Sequence, residues 1–224
     1  MLADCEMVTF ALSICICANR KRIALKPHYA YTKRCSQLYR MNTFKEIAKG
    51  IPHEIALPEQ LKKLTEWLDQ NGYPISGHFE LRADDGETIR YWLGFNNISN
   101  RFGVFGAGPD GSLYAFWLDD DRNQKIVHLG SEGGELYILA SNFIDFLRLL
   151  AIGYDEIGFA DLSMSVKEWN ISLGESENDG VNQKFIKWVE NEFGVTIPQK
   201  GIEIVDVKDK SFENWINDQI QKYS

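Results

Sequence analysis

The chain has 224 residues, 44% of them hydrophobic and 25% charged, with a formal net charge of −8. That is a globular composition, of one domain or of a domain plus an extension. The charge is uneven: residues 1–40 carry seven basic residues against Asp4 and Glu6, a net of +5, so residues 41–224 carry −13. A domain of that sign is disfavoured for binding DNA, RNA and anionic membranes; its charge favours a basic protein partner or serves only to keep the domain soluble.

Composition also marks a boundary near Met41. All four cysteines (Cys5, Cys15, Cys17, Cys35) precede it and all six tryptophans follow it. The expected domain is residues 41–224, long enough to bury roughly 70% of its unfolded surface. It has no cysteine and so no disulfide framework, which fits a reducing, cytoplasmic compartment. Residues 1–40 read as an extension of uncertain order. Its apolar run, Met7 to Ala18, is too short to span a bilayer and is preceded by acidic residues where a secretory signal wants basic ones. Leu12-Ser13-Ile14-Cys15 approaches a lipoprotein box, but Ile14 stands where a small residue is needed. A further expectation is that Met41 is the true start and the first 40 residues over-extend the gene. Cys15-x-Cys17 with Cys35 and His28 lacks zinc-site spacing, so no metal is expected.

From Met41 the elements are regular. Phe44, Ile47 and Ala48 recur at helical spacing up to Gly50-Ile51-Pro52, and Pro58-Glu59 opens a helix with the stripe Leu61, Leu64, Leu68 and Trp67 beside it. Ile75 to Arg82 reads as a strand closed by the turn Ala83-Asp84-Asp85-Gly86. Thr88 to Phe95, rich in β-branched and aromatic residues, reads as another. Asn96 to Arg101 is a polar loop. Ser112 to Leu118 alternates two faces, Leu113, Ala115 and Trp117 against Tyr114, Phe116 and Leu118. Both faces are apolar, which predicts a central strand covered on both sides. Asp119-Asp120-Asp121-Arg122-Asn123 is a turn, Lys125 to Leu129 a strand, Ser131-Glu132-Gly133-Gly134 a turn and Leu136 to Leu139 a last strand. Ser141 is expected to cap a helix with the stripe Phe143, Phe146, Leu147 and Leu150, stopped by Gly153. Tyr154 to Trp169 is weakly helical, and Gly174 to Gly180 is an acidic loop. Val181 to Phe193 is a clear helix before Gly194, Gly201 to Val207 a short segment or strand, and Ser211 the cap of a final helix. Helices, then antiparallel strands, then helices predict an α+β fold: a central antiparallel sheet packed by helices, with helical flanks.

Several motifs fail on context. Gly106-Ala107-Gly108-Pro109-Asp110-Gly111 matches G-x-G-x-x-G, but a strand follows it where the dinucleotide fingerprint needs a helix N-terminus. The Asp119 run would place Gln124 and Gly130 where a calcium loop needs Gly and Glu. His28, His53, His78 and His128 are scattered, and no G-x-S-x-G occurs. His128 reads as a satisfied sheet residue. No cofactor and no catalytic constellation is expected, although a pocket holding two inward carboxylates would revive a hydrolase reading. The acidic turns are most simply solvated. If they cluster on one face, Asp84, Asp85, Asp119, Asp120, Asp121 and Glu132 would form a patch for a basic partner.

The run from Phe102 to Leu150 resembles the SUKH superfamily, the cell-wall assembly and glucan-synthesis regulator family. The residues that carry the resemblance are Phe105-Gly106, the turn Pro109-Asp110-Gly111 and the strand Leu113 to Leu118. The segment Ser141-Asn142-Phe143-Ile144-Asp145-Phe146-Leu147 is similar to that family's Ser-Phe-acidic-acidic-Phe-Leu helix. Phe185, Trp188, Phe193-Gly194, Pro198, Phe212 and Trp215 are similar to extensions of its bacterial members. The likeness spans about residues 55–220, and residues 1–40 match nothing in the family. It implies an α+β fold and, for bacterial members, a non-enzymatic immunity protein that binds and neutralises a toxin, often a nuclease or deaminase. The alternative it implies is a regulatory scaffold with several partners. It supplies no catalytic residues.

Overall fold

The computed structural model describes residues 43–94, 98–131 and 135–223. The expected extension at residues 1–40 lies outside them, as do Phe95, Asn96, Asn97, Glu132, Gly133 and Gly134. The described chain is α+β: an antiparallel sheet in the order β1-β2-β3-β4-β5, with helices before and after it. The strands are β1 Glu80–Leu81, β2 Phe102–Ala107, β3 Leu113–Leu118, β4 Gln124–Leu129 and β5 Leu136–Ala140. The helices are α1 Thr43–Gly50, α2 Glu59–Asn71, α3 Thr88–Leu93, α4 Phe143–Ile152, α5 Val166–Leu173, α6 Gln183–Phe193 and α7 Ser211–Tyr223. None of the described helices is long and apolar enough to cross a membrane.

The sheet is a meander, with short links between β2, β3 and β4 and a longer one, holding α3, between β1 and β2. Gly108–Ser112 and Asp119–Asn123 are tight turns, closed by Gly108 N–H donating to Ser112 O and Asp119 N–H to Asn123 O. β3 lies in the middle, and all six of its residues are buried. Its two apolar faces feed two cores. Tyr114, Phe116 and Leu118 join Phe105, Ile126, Leu139 and the inward stripes of α1, α2, α4 and α6. Leu113, Ala115 and Trp117 join Phe102, Val104, Val127 and Leu129, covered by Ile89 of α3 and by Phe212, Trp215 and Ile216 of α7. The sheet is therefore the middle layer of three.

Aromatic packing fixes both layers. β2 carries a bulge: Val104 pairs with Ala115 and Gly106 with Tyr114, leaving Phe105 as the extra residue. Its ring packs 4.7 Å from Phe116, 5.5 Å from Phe143 and 5.4 Å from Phe146, centroid to centroid. On the opposite face Trp117 lies 4.9 Å from Phe212 and 5.3 Å from Trp215. Such ring pairs add stabilisation beyond simple burial.

Several boundaries differ from the sequence expectation. Ile75 to Arg82 yields only the two-residue β1, because its backbone donors go elsewhere: Gly77 N–H to Gly180 O and His78 N–H to Asp155 O, each 2.9 Å. Thr88 to Leu93 is a helix and not a strand. The Asn142 side chain caps α4 by accepting the Asp145 amide, so Ser141 is not the cap. At α7 the Asp209 carboxylate accepts the Ser211 amide at 2.9 Å, so Asp209 shapes the entry in place of Ser211. Gly201 to Glu203 is a 3₁₀ turn, and Tyr154 to Ser165 is a series of turns before α5.

Because Phe105 is fully buried among three rings, Phe105→Ala is expected to destabilise the domain by about 3–5 kcal/mol. Urea unfolding with an unchanged denaturant slope measures this; a loss below about 1 kcal/mol would show that the bulge does not organise the core.

Candidate functional site

The sequence-predicted acidic residues do not form one patch. Asp84 and Asp85 shape the entry to α3: Asp84 accepts from the Gly86 amide and the Thr88 hydroxyl, and Asp85 from the Glu87 amide. Asp119 closes its own turn, accepting the Asn123 amide at 2.8 Å and the Asn123 side-chain amide at 3.0 Å. Partial burial opposes its charge, but these bonds win and hold its carboxyl below the usual range. Asp120 accepts Trp215 Nε1–H at 3.0 Å and pairs with Arg101 at 2.9 Å, while Arg101 also stacks over the Trp215 ring. It therefore ties α7 to the sheet. Only Asp121 of the run stands exposed with no such role assigned to it. Asp119 to Asp121 sit where β3 turns into β4. The β4–β5 turn, whose Glu132 lies outside the described residues, is at the other end of β4, roughly 20 Å away by strand rise.

At that other end the fold assembles a different acidic face. Three segments cross there at backbone contact: 74–78, 153–157 and 179–182. A side chain on Gly77 would meet Tyr154 O at 2.2 Å, and one on Gly180 would meet Gly153 O at 2.5 Å. Both glycines also have positive φ, 48° and 77°, which other residues rarely adopt. Buried Asn170 on α5 pins the acidic loop, donating to Ser176 O at 3.1 Å and Asp179 O at 3.0 Å. Tyr154 anchors the middle segment, donating to Met164 O at 2.6 Å and accepting the Gly201 amide at 3.0 Å. The result is a shallow cleft lined by His78, Asp155, Glu175 and Asp179, with Glu156 and Asp110 beside it.

Among the described residues none of Asp110, Asp155, Glu156, Glu175 and Asp179 pairs with Lys or Arg. His78 Nδ1 lies 2.8 Å from Asp155, and in the same loop Glu177 pairs with Lys167 at 2.7 Å. Phe159 borders this face in the turn that Glu156 begins, is 71% exposed, and lies 6.0 Å from Trp169. Ile171 and Leu173 of α5, just before the acidic loop, are also exposed. Exposed apolar side chains thus stand beside the acidic cleft.

Asp110 and Glu156 form a coupled pair. Partial burial raises Glu156, and hydrogen bonding to and repulsion by Asp110 raise it further, to about 7. Asp110 is itself partly buried, but bonds from the Ser112 amide at 2.8 Å and the Ser131 hydroxyl at 2.8 Å hold it well below the usual carboxylate range. The pair therefore splits its roles: Asp110 carries the charge and Glu156 the proton. Behind it lie buried Tyr114 and His128. Burial pushes the Tyr114 hydroxyl up and the His128 imidazole down, so both stay neutral. His128 is only half satisfied as a sheet residue: Nδ1 meets Glu135 O at 3.0 Å, and Nε2 is buried with no partner.

The described residues contain no group of three His, Cys, Asp or Glu that could hold a metal ion. The chain matches no family model, no curated protein and no solved structure.

The paired carboxyls make stability fall with pH. Unfolded, Glu156 loses its proton near 4.5; folded, near 7. The folded state holds the extra proton between these values, so stability declines as pH rises through that window and stays lower above it. Glu156→Gln removes the charge, and since the side chain is partly exposed the gain is discounted. The variant is expected to be more stable than wild type by about 1 kcal/mol at pH 8 and no more stable at pH 4.5. Urea unfolding at the two pH values checks this, and a variant destabilised at pH 8 would contradict it.

Proposed function

We propose that the domain is a non-enzymatic, cytoplasmic immunity protein that binds and neutralises a basic toxin, of nuclease or deaminase type, through the acidic face formed by segments 74–78, 153–159 and 174–180. The observation that carries this reading is the set Asp110, Asp155, Glu156, Glu175 and Asp179, none with a Lys or Arg pair among the described residues, bordered by exposed Phe159. The −13 charge of residues 41–224 and the resemblance to the SUKH superfamily agree with it. Elsewhere many carboxylates are used internally, as Asp119, Asp120, Asp145 and Glu168 are. An uncompensated acidic face has a Coulomb attraction to a basic partner available, which speeds encounter and orients it. Phe159, Ile171 and Leu173 would supply the apolar contact that holds the complex once formed.

A second reading, acid/base catalysis, draws on the split pair Asp110 and Glu156. Against it, neither carboxyl lines the cleft at Pro58 and Phe143, the cleft between α3 and α7, or the cleft at His78 and Asp155. Their absence from these clefts favours the binding reading.

The test is neutralisation of a toxin encoded directly upstream, using the purified toxic domain. The wild-type protein is expected to inhibit it stoichiometrically. The triple variant Asp155→Asn, Glu175→Gln, Asp179→Asn is expected to associate about tenfold or more slowly at low salt, with Asp85→Asn, Asp121→Asn as the unaffected control. Lack of inhibition by the wild type defeats the immunity reading. Equal rates for both variants defeat the placement, and capture of several unrelated proteins would favour a regulatory scaffold.

A further inference from the structure

The turn that carries Glu156 and Phe159 rests on the ring of His128. A side chain on Gly158 would stand 2.2 Å from Cε1 and 2.3 Å from Nε2 of that ring, so the backbone lies directly against the imidazole with no room between them. His128 itself is 2% exposed. Its Nδ1 lies 3.0 Å from Glu135 O. A carbonyl oxygen can only accept, so Nδ1 carries the proton and Nε2 presents a bare lone pair. Nε2 is buried with no partner among the described residues. A second proton there would add a buried charge and an N–H with no acceptor, a heavier cost than an unmet lone pair. The titratable groups around the ring are Asp110 from the β2–β3 turn, Tyr114 from β3, Glu135 before β5, Tyr137 paired with His128 across β5, and Glu156 beside Asp110. Burial opposes charge on the imidazole more strongly than Glu135 O and the carboxylates of Asp110 and Glu135 favour it.

We propose that His128 is an acid-sensitive latch: protonation of its imidazole lifts the turn at residues 156–160 off the ring and takes the acidic face apart. Release of a bound partner by this opening rests on the partner-binding reading; the opening itself does not. With the turn open, the imidazole takes a proton near its ordinary 6.5; with the turn closed, only at lower pH. Opening therefore takes up a proton and is favoured as pH falls through 6.5. Glu156 works the other way. Closed, it keeps its proton up to about 7; open, only to near 4.5, so opening releases a proton and acid opposes it. The two partly cancel in the wild type, and replacing Glu156 exposes the latch. The contact of His78 with Asp155 at 2.8 Å is common to every variant compared, so it does not enter the difference.

The experiment follows amide hydrogen exchange in the full chain by NMR, corrected for the intrinsic pH dependence of exchange. The reporters are His78, whose N–H bonds Asp155 O, and Phe159 and Ala160, whose N–H groups bond Glu156 O; the β3 amides are the internal reference. In Glu156→Gln, opening at the reporters is expected to rise about fivefold or more from pH 7 to pH 5.5, with β3 unchanged. Adding His128→Phe, which keeps a flat ring under Gly158 and cannot titrate, is expected to hold that rise within about twofold. Gly158→Ala drives a methyl group into the ring and is expected to open the turn at pH 7 without acid; it serves if His128→Phe fails to fold. Opening independent of pH in Glu156→Gln, an equal rise with Phe at position 128, or unchanged protection in Gly158→Ala would overturn the proposal. All of these are read without a toxin, so the partner-binding reading stands or falls separately.

Discussion

β3 is buried over its whole length, and the rest of the structure follows from that. A strand apolar on both faces has no stable place at a surface; it needs a layer on each side before its burial is favourable. The chain supplies one from α4, with α1, α2 and α6 around it, and the other from α7 and α3. Phe105, displaced by its bulge, and Trp117 on the reverse face are the contacts through which the two layers grip the same strand. With both faces of the sheet covered, what remains for recognition is its ends.

The two ends are used differently. Where β3 meets β4, the acidic turn is tied into the fold by its bonds: Asp119 closes the turn, and Asp120 holds Arg101 and Trp215 together and so fastens α7. At the opposite end the carboxylates outnumber the available cations. Glycine-tight crossings at Gly77 and Gly180 bring the acidic loop against Asp155 and Glu156. The repulsion this creates is partly relieved by keeping a proton on Glu156.

The amphipathic helices and the central strand were legible in the sequence because burial there follows strict periods. The stripes Leu61, Leu64, Leu68 and Phe143, Phe146, Leu147, Leu150 are buried as their spacing requires. α3 was not legible. Its sequence TIRYWL has strand composition, but Asp84, Asp85 and Thr88 build a helix entry and Gly94 a left-handed stop, while only Ile89 is buried and Tyr91 is 82% exposed. Local capping outweighs residue propensity when few side chains are packed. The acidic site was legible only in pieces. Asp110 reads as part of a Pro-Asp-Gly turn and Glu175 to Asp179 as a solvated loop, and nothing in the spacing joins Asp110 to Glu156, 46 positions on. Their meeting depends on the long-range backbone bonds of Gly77 and His78, which carry no periodic signal.

The central claim is that recognition belongs to the end of the sheet holding Glu156 and not to the Asp119 turn. Amide hydrogen exchange of the protein, free and bound to the toxin proposed as its partner, tests this most directly. The account predicts added protection confined to residues 75–78, 153–160 and 174–181, with 118–124 unchanged. Protection centred on 118–124 or on α7, with 153–160 and 174–181 unaffected, would contradict it.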